Sequence, residues 1–489
     1  MQSLSALYDN AALRELEKRA CAEPDIDDTT LMRRAGQAAW RCLLEHWPNA
    51  RRIVVLAGPG NNGGDGWVLA RHARDSGLDV CVVHPSSMPP RTPLAMRMAG
   101  EYADAGGRAE AFSGVLPVAE VIVDALFGIG LDRAPEGETA SMIAAANAAS
   151  SPILALDVPS GIDSERGAVP GVAIFAAHTI QFIAAHIGLA TGAALDHVGS
   201  RSLSTLDAPA ACFDGFAPKA EVAASPRFPR RARDSHKGRH GHVLAIGGEH
   251  GYGGAILIAA ESALRGGAGL VSVATRAEHV AALLTRRPEA MGHAVEVAVD
   301  LQPLLEHADA LALGPGLGRG EWSHGLFEAA LASGKPCVVD ADALNLLAAA
   351  PRPLPGAVLT PHPGEAARLL GSDTASVQRD RYAAAEAIAA RYGGAVVLKG
   401  AGSVIAAPGR TSRVLAVGNP GMASGGMGDA LSGVIASLLA QGAAPFEAAS
   451  AGAWLHGRAG DLAARDGEAG LLAGDLIGHL RAAIAECTA

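Results

Sequence analysis

The segment that decides the fold of the second half of the chain is Asn419-Pro420-Gly421-Met422-Ala423-Ser424-Gly425-Gly426-Met427-Gly428-Asp429-Ala430-Leu431-Ser432-Gly433. Glycines crowd its first half, and the Ala/Leu-rich run that continues to Ala440 predicts a helix. A glycine-rich loop that leads into a helix presents free backbone N–H groups and the positive end of the helix dipole. The segment therefore predicts an anion site.

Asp429 stands where this helix is predicted to begin. A carboxylate gains nothing from a neighbouring phosphate, because like charges repel, but it can take a proton from a hydroxyl group close to that phosphate. An Asp that simply caps the helix is the alternative, since Asp is a preferred N-cap residue. Taken alone, the residue leaves both roles open.

Short apolar runs before this segment predict the strands of an α/β domain. They cover residues 242–248, 270–273, 310–313, 337–340, 357–360 and 395–399, with a helix predicted over 254–267. Continuous apolar runs of this length are typical of parallel strands that are buried on both faces.

The first half of the chain shows the same alternation, beginning with the apolar run Arg52-Ile53-Val54-Val55-Leu56-Ala57. A glycine-rich loop over 58–66 and a helix from Trp67 to about Ser76 follow, and the later strands are predicted at 80–83, 121–124 and 153–157. This order of strand, glycine loop and helix opens a doubly wound sheet. Both halves are therefore predicted to be three-layer α/β/α sandwiches, the first of them Rossmann-like.

The length of 489 residues exceeds what one hydrophobic core normally supports, so two domains are expected. A Pro/Ala/Arg-rich passage over 206–234 separates the two series of strands. We assign residues 1–215 to the first domain, 216–234 to a linker and 235–489 to the second domain.

Charge and cysteine usage limit the function classes. The net charge of −10 argues against a nucleic-acid-binding surface. The six cysteines form no CxxC pair, which is typical of a reducing cytosol. Neither a signal peptide nor an apolar run long enough to cross a bilayer is evident. We expect a cytoplasmic protein with no nucleic-acid or membrane partner.

Polar residues follow three predicted strands of the first half. They are Asn61, Asn62 and Asp65, then Asp124, then Asp157 and Ser160. Amide, carboxylate and hydroxyl oxygens that converge at the carboxyl ends of strands suit a hard cation. The loop departs from the GxGxxG dinucleotide fingerprint, because asparagines occupy glycine positions. A second glycine loop, Gly128 to Arg133, is a candidate phosphate site; glycines that only form tight turns are the alternative for either loop.

The first half resembles the NAD(P)H-hydrate epimerase domain in its segments 31–36, 61–66, 124–128 and 157–161. By this resemblance a potassium ion is held by Asn62, Asp124 and Ser160, and Asp157 is the acid/base group at the hydrated ring carbon. The resemblance implies these substrate contacts: Asn61, Asn62, Gly63, Gly64, Asp65, Gly128, Ile129, Gly130, Leu131, Asp132, Arg133, Ala134 and Asp157. The chain departs from the family at His186, where a Lys is usual; His186 is either a replacement proton donor or an ordinary partly buried His.

The second half resembles the ADP/ATP-dependent NAD(P)H-hydrate dehydratase, which has a ribokinase-like fold. The matching segments are 235–238, 254–255, 287–289, 314–318, 340–345, 360–365, 399–403 and 419–433. By this resemblance Ala255, Gly318, His362 and Asp429 contact the hydrated dinucleotide. The nucleotide contacts implied are Lys399, Gly400, Ala401, Gly402, Ser403 and Gly428. The family commonly has Thr where this chain has Met427, so only a backbone contact is expected there.

The two resemblances together imply a metabolite-repair enzyme. The first domain would interconvert the R and S forms of hydrated NADH and NADPH, and the second would dehydrate the S form. In that second reaction ADP gives AMP and phosphate through a phosphorylated intermediate, with Asp429 as the base. The expected cofactors are K⁺ in the epimerase domain and Mg²⁺ with ADP in the dehydratase domain, and a homo-oligomer is expected.

Several points stay open at this level. They are the choice of ADP or ATP and the preference for the NADH or the NADPH hydrate. The alternative function is a vitamin-type small-molecule kinase in the second domain beside a non-catalytic, ligand-binding first domain.

Overall fold

A computed structural model describes residues 4–131 and 133–488. The chain divides into two compact units, Met1–Glu221 and Val222–Ala489. The predicted extents of the two domains and the linker stay predictions. In the part of the chain that the structure describes, no helix combines the length and apolar character that a membrane crossing requires.

The first unit alternates strands and helices. Its strands are β1 (Ala6–Tyr8), β2 (Arg52–Ala57), β3 (Asp79–His84), β4 (Arg108–Ala111), β5 (Val121–Ala125), β6 (Ile153–Leu156), β7 (His178–Phe182), β8 (Ala185–His186), β9 (Ser200–Ser204) and β10 (Ala220–Val222). Its helices are α1 (Asn10–Cys21), α2 (Asp28–His46), α3 (Asn61–Asp75), α4 (Pro93–Asp104) and α5 (Gly137–Ala148).

Seven parallel strands form the sheet of this unit in the order β4-β3-β2-β5-β6-β7-β9. Buried residues of α2, α3 and α4 pack on one face, and Met142, Ile143 and Ala146 of α5 pack on the other. The strand order reverses between β2 and β5, and ligands of doubly wound sheets bind at the carboxyl ends of the strands at such a reversal. The Rossmann-like prediction agrees with this topology.

The glycine-rich segment after β2 differs from its prediction, because it is helical. α3 begins at Asn61, with Gly60 as its N-cap. A Cβ atom at Gly63 would lie 2.1 Å from the carbonyl oxygen of Gly58, and one at Gly66 would lie 2.6 Å from the Cβ of Ala125. Gly63, Gly64 and Gly66 therefore belong to α3 and allow it to pack closely, whereas Gly58 and Gly60 precede the helix.

The second unit repeats the α/β pattern with more helices. Its strands are β11 (His242–Ile246), β12 (Leu270–Thr275), β13 (Met291–Ala294), β14 (Ala310–Leu313), β15 (Cys337–Val339), β16 (Ala357–Leu359), β17 (Ala395–Leu398), β18 (Val404–Ala406) and β19 (Ser412–Val414). Its helices are α6 (Gly253–Arg265), α7 (Ala277–Arg286), α8 (Gln302–His307), α9 (Glu321–Ala332), α10 (Ala341–Ala349), α11 (Pro363–Leu370), α12 (Thr374–Arg379), α13 (Arg381–Tyr392), α14 (Met427–Ala440), α15 (Pro445–Ala463) and α16 (Ala473–Glu486).

The sheet of the second unit runs β13-β12-β11-β14-β15-β16-β17-β18-β19. The strands from β13 to β17 are parallel to one another, β18 pairs antiparallel with β17, and β19 pairs antiparallel with β18. Helices α6, α14, α15 and α16 share one core with alternate strand residues such as Val243 and Ala312. The intervening residues, such as Leu244 and Leu313, are also fully buried, so both faces of the sheet are covered. The predicted α/β class is confirmed.

Candidate functional site

The ends of β5 and β6 in the first unit carry a buried carboxylate and a hydroxyl that bind each other. Asp124 is fully buried, and its Oδ1 accepts the Ser160 hydroxyl at 2.7 Å while its Oδ2 accepts the Ser160 N–H at 2.7 Å. Burial raises the pKa of Asp124 to about 6, although these hydrogen bonds oppose the rise. Ser160 Oγ also accepts the N–H of Phe127 at 2.9 Å.

Asn62, in the first turn of α3, belongs to the same region. Both polar atoms of its side-chain amide are buried and have no hydrogen-bond partner among the described residues. Gly128, which follows Phe127 directly, lies so close that a Cβ atom there would be 3.5 Å from the Asn62 side chain. A buried amide group without a hydrogen-bond partner destabilises the folded state by roughly 1–3 kcal/mol. A ligand that binds to the lone pairs of the Asn62 amide oxygen is therefore expected here.

Asp157 is held in a strained conformation beside this region. Its φ is 65°, a region that residues other than glycine rarely adopt. Its Oδ1 lies 2.7 Å from Nε2 of His186, and its Oδ2 accepts the N–H of Ile129 at 3.3 Å. His186 is buried, and its Nδ1 has no partner among the described residues. The residue that departs from the family pattern thus contacts the predicted acid/base carboxylate directly.

Among the remaining predicted contacts of the first unit, Asp65 and Gly128 lie near Asp157. Burial, the charge of Asp157 and that of Glu17 raise the pKa of Asp65 well above its usual value. Gly128 lies against Asp157, since a Cβ there would be 2.6 Å from its Oδ2. Asn61, Gly130 and Arg133 are exposed, Gly63 and Gly64 are buried, and Leu131 and Ala134 are half-buried. The predicted contact Asp132 lies outside the described residues.

In the second unit, a lysine and an aspartate form an ion pair at the carboxyl ends of β15 and β17. Lys399 Nζ lies 2.8 Å from Asp340 Oδ1, and Asp340 Oδ2 accepts the Ser432 hydroxyl at 2.7 Å. Burial disfavours the lysine charge, but Asp340 and Glu365 outweigh it and raise the pKa of Lys399. A Cβ at Gly428 would lie 3.2 Å from Lys399 Nζ, so only glycine lets the first turn of α14 approach the pair.

Asp429 lies in the first turn of α14, near the same pair. The helix begins at Met427 with Gly426 as its N-cap, so the interpretation of Asp429 as an N-cap is wrong. Burial, and then the charges of Asp340 and Glu365, raise the pKa of Asp429 to about 7, against the attraction of Lys399. A carboxyl group with a pKa near the working pH is suited to general base catalysis.

His362 and Glu365 begin α11 and cap each other. Nδ1 of His362 accepts the N–H groups of Gly364 and Glu365, so this nitrogen carries no proton. Burial, Lys399 and Arg368 lower the pKa of His362. Glu365 accepts the His362 N–H at 2.8 Å, and burial raises the pKa of its carboxyl to about 7. His362 is therefore a cap residue, and its Nε2, which carries the proton, lies 3.4 Å from Glu365 Oε1.

The predicted substrate contacts Ala255 and Gly318 lie on elements next to α14. A Cβ at Gly316 would be 3.3 Å from the Cβ of Ala255, which lies in α6. The Gly318 N–H donates to Asp342 Oδ2 at 2.9 Å. A Cβ at Gly426 would lie 2.7 Å from Ile258 of α6, so α6 and the glycine-rich turn are in contact.

The nucleotide segment Lys399, Gly400, Ala401, Gly402 and Ser403 is the turn between β17 and β18. The Ser403 hydroxyl donates to the Gly400 carbonyl at 3.0 Å. The buried Arg381 donates from one guanidinium nitrogen to the carbonyl oxygens of Leu398 and Lys399, at 3.2 and 3.3 Å. Arg381 therefore holds the backbone at the start of this turn.

Some functional residues were missed from the sequence. Asp340, Glu365 and Ser432 stood in segments that carried the family resemblance, which was the available signal; Arg381 gave none. The side chain of Met427 is buried in the apolar core, and its carbonyl oxygen lies 2.9 Å from Nε2 of His456. The replacement of Thr by Met therefore changes the core and adds no group to the anion site.

Comparisons with known proteins agree for both units. The family described as NAD(P)H-hydrate dehydratase matches residues 243–481, and the YjeF-related protein N-terminus matches residues 28–188. The bifunctional NAD(P)H-hydrate repair enzyme Nnr of Coxiella burnetii is 45% identical over 98% of this chain and 99% of its own length. The enzyme of the same name from Escherichia coli is 46% identical over 96% of this chain and 92% of its own.

A solved structure resembles the second unit. It is a ribokinase-like superfamily protein from Enterococcus faecalis, 31% identical, with a TM-score of 0.50 over 53% of this chain and 92% of its own. The ribokinase-like prediction is confirmed by this likeness.

Proposed function

The chain belongs to the bifunctional NAD(P)H-hydrate repair enzymes, and we propose that its two units act in sequence on hydrated NADH and NADPH. The first unit interconverts the R and S epimers, and the second dehydrates the S epimer with consumption of a phosphoanhydride. The vitamin-type kinase alternative is not favoured, because the relatives match both units over nearly their whole length.

One observation carries the dehydratase assignment. A charged lysine held by Asp340 lies close to Gly428 at the glycine-rich start of α14. Asp429, in the same turn of α14, interacts with this lysine through charge, and burial raises the pKa of its carboxyl to about 7. An anion site and a group able to accept a proton are thus neighbours, which is what phosphorylation of a hydroxyl group requires.

We assign each group a role in that step. Asp429 takes the proton of the ring hydroxyl. The hydroxyl oxygen then bonds to the terminal phosphorus of the nucleotide, while the bond from this phosphorus to the bridging oxygen breaks. Lys399 and the N–H groups of Gly425, Gly426 and Gly428 stabilise the charge on the transferred phosphoryl group. Phosphate then leaves with the C–O bonding electrons, and loss of a proton from the adjacent carbon re-forms the ring double bond.

ADP accompanied by Mg²⁺ is the proposed phosphate donor. The buried carboxylate of Glu365, 3.8 Å from Lys399 Nζ, is an oxygen donor of the kind that Mg²⁺ binds together with phosphates. The ion would neutralise charge on the bridging and terminal phosphates. His362 donates from Nε2–H to the hydrated dinucleotide, and Ala255 and Gly318 line its ring.

For the epimerase we assign Asp157 and His186 as a pair. The Asp157 carboxylate moves a proton at the hydrated ring carbon, and its contacts with His186 and Ile129 hold it in one orientation. His186 thus takes the position and part of the role of the family's Lys, since both can donate a proton to a carboxylate. Asp65 contributes a protonated carboxyl group, because burial and the Asp157 charge raise its pKa.

We propose a K⁺ ion held by Asn62, Asp124 and Ser160. The residues fit the ion, because the Asn62 amide oxygen is buried without a partner and the three side chains offer only oxygen ligands beside a buried negative charge. When bound, K⁺ would neutralise Asp124 and orient the loop at Phe127 and Gly128. A cytoplasmic location and a homo-oligomeric state are also proposed; all six cysteines are unpaired, which agrees with a reducing compartment.

The proposal is tested with separated R and S hydrates, each incubated with ADP or ATP while the reduced-nicotinamide absorbance is followed. The wild-type enzyme should convert both epimers. Asp157→Asn should convert only the S epimer, and Asp429→Asn should convert neither yet still bring the two epimers to equilibrium. A stable phosphorylated product without phosphate release would support the kinase alternative, and rapid use of the R epimer by Asp157→Asn would exclude that residue as the acid/base group.

A further inference from the structure

A thiol and two imidazoles lie close together in the first unit, at the amino end of strand β7. The proposed epimerase residues lie at the opposite, carboxyl ends of the strands. Cys42 and His46 are one turn apart at the end of α2, and His178 is the first residue of β7. One ligand atom from each of the three residues lies within 4.8 Å of the others. The proposed epimerase residues follow the carboxyl ends of their strands, so this cluster is a separate feature.

Hydrogen bonds hold the ring of His178 between two serine hydroxyls. The Ser200 hydroxyl lies 2.7 Å from His178 Nδ1 and donates its own proton to the Ala177 carbonyl oxygen at 3.3 Å. In this arrangement Ser200 accepts Nδ1–H, and the Nε2 lone pair accepts the Ser202 hydroxyl proton until an ion replaces it. Nε2 lies 2.8 Å from the Ser202 hydroxyl, which is 4.0 Å from Cys42 Sγ.

His46 is oriented in a similar way by the backbone. Its Nδ1 lies 2.9 Å from the carbonyl oxygen of Cys42 and 3.7 Å from Cys42 Sγ. A carbonyl only accepts, so Nδ1 carries the proton and Nε2 offers a lone pair. Histidines that bind metals typically donate their second ring nitrogen to a carbonyl or hydroxyl oxygen, which fixes the tautomer. Both histidines of the cluster have this arrangement.

The donor set selects a class of ion. One thiolate sulfur and two imidazole nitrogens suit Zn²⁺ and related late first-row divalent ions, and do not suit Mg²⁺ or K⁺. Cys42 and His178 are buried, whereas His46 is exposed. Rotation of the His46 ring would bring its Nε2 to the ion and would break the Nδ1–carbonyl contact. Zn²⁺ binds sulfur at about 2.3 Å and nitrogen at about 2.0–2.1 Å, so the ligand atoms need to close by only about 1 Å.

We propose that Cys42, His46 and His178 form a binding site for Zn²⁺ or a chemically similar divalent ion, with Ser202 or water as the fourth ligand. The ion would join the end of α2 to the first residue of β7. Its role is structural, because the cluster lies at the amino end of β7 and the acid/base carboxylate follows the carboxyl end of β6.

The test uses the full-length protein without nucleotide. Zn²⁺ is titrated against a chromophoric chelator, and Co²⁺ is added as a spectroscopic substitute whose thiolate ligand gives an intense near-ultraviolet charge-transfer band. Wild type should bind one tight equivalent and show the band, and Zn²⁺ should raise its thermal midpoint. Cys42→Ser should lose the band, and His178→Gln should lose the tight equivalent.

Two further variants separate binding from folding defects. Ser200→Ala removes only the hydroxyl that orients His178 and should weaken Zn²⁺ affinity by about 10–100-fold. Cys21→Ser, at a half-exposed thiol bonded to Asp28, is the matched control and should behave as wild type. A wild-type protein without the band, a band that survives Cys42→Ser, or unchanged affinity in Ser200→Ala would each overturn the proposal.

Discussion

Asp429→Asn should abolish dehydration and at the same time stabilise the second unit. The side chain keeps its shape but can no longer accept a proton, so the phosphorylation step loses its base. The ionised carboxylate is unfavourable in the folded protein, because burial and the charges of Asp340 and Glu365 raise its pKa. The neutral amide does not carry that cost.

The size of the stabilisation depends on pH. The carboxyl pKa rises from 3.8 to about 7 on folding, and each pKa unit corresponds to about 1.4 kcal/mol. Below pH 3.8 the group is protonated in both states and costs nothing. As the pH rises the unfolded chain loses this proton first, so the folded state is increasingly disfavoured until the pH passes about 7. The free energy of unfolding should therefore increase in Asp429→Asn by about 2 kcal/mol at about pH 5 and by an upper limit of about 4 kcal/mol at about pH 8.

Urea denaturation of wild type and variant at both pH values measures this difference, and the S-hydrate assay measures the lost activity. Epimerisation by the same preparations is the internal control and should be unchanged. A stability difference between variant and wild type that is close to zero at both pH values would show that the folded carboxylate is well solvated. Normal dehydration by Asp429→Asn would refute its role as the base.

Three further changes test the other interactions. His186→Lys should retain most epimerisation, whereas His186→Leu should lower its kcat strongly with little change in KM; equal rates for the two variants would contradict the pairing with Asp157. Asp124→Asn should remove any acceleration of epimerisation by K⁺ over Na⁺ without affecting dehydration, and persistence of the K⁺ effect would exclude the proposed ion ligand. Arg381→Met should lower the free energy of unfolding by about 2–4 kcal/mol, because two buried carbonyl oxygens lose a charged donor. The same variant should weaken ADP binding measured by calorimetry. Unchanged ADP affinity would show that Arg381 does not support the Lys399 turn in nucleotide binding.

The central strands could be predicted from the sequence because their residues are continuously apolar. Two other strands could not. β4 (Arg108–Ala111) is largely exposed, and β7 carries the buried polar residues His178, Thr179 and Gln181. Neither shows the continuous apolar run by which the central strands are recognised. Their pairing is determined by neighbours that are distant in sequence, such as β9 alongside β7.

Glycines were the main source of error in local structure. The segment 58–66 was predicted as a loop because glycine is common in loops, yet its second half is the first turn of α3. A helix tolerates glycine at a cost of about 1 kcal/mol relative to Ala. Here close packing against Gly58 and Ala125 offsets that cost, and no local sequence pattern reports such tertiary contacts.

The base character of Asp429 shows most clearly why a motif alone does not determine chemistry. A carboxylate in the first turn of a helix normally has a lowered pKa, because the helix dipole favours negative charge by about 0.3–1 kcal/mol, rarely 2. In this protein the opposing effects correspond to an upper limit of about 4 kcal/mol, so burial and the neighbouring carboxylates dominate the dipole and the attraction of Lys399. Of those carboxylates, Asp340 follows β15, and Glu365 lies in the first turn of α11. The glycine-rich segment predicts an anion site, and the groups that the fold brings together around Asp429 raise the pKa of this carboxyl to about 7, which agrees with the proposed role as a base.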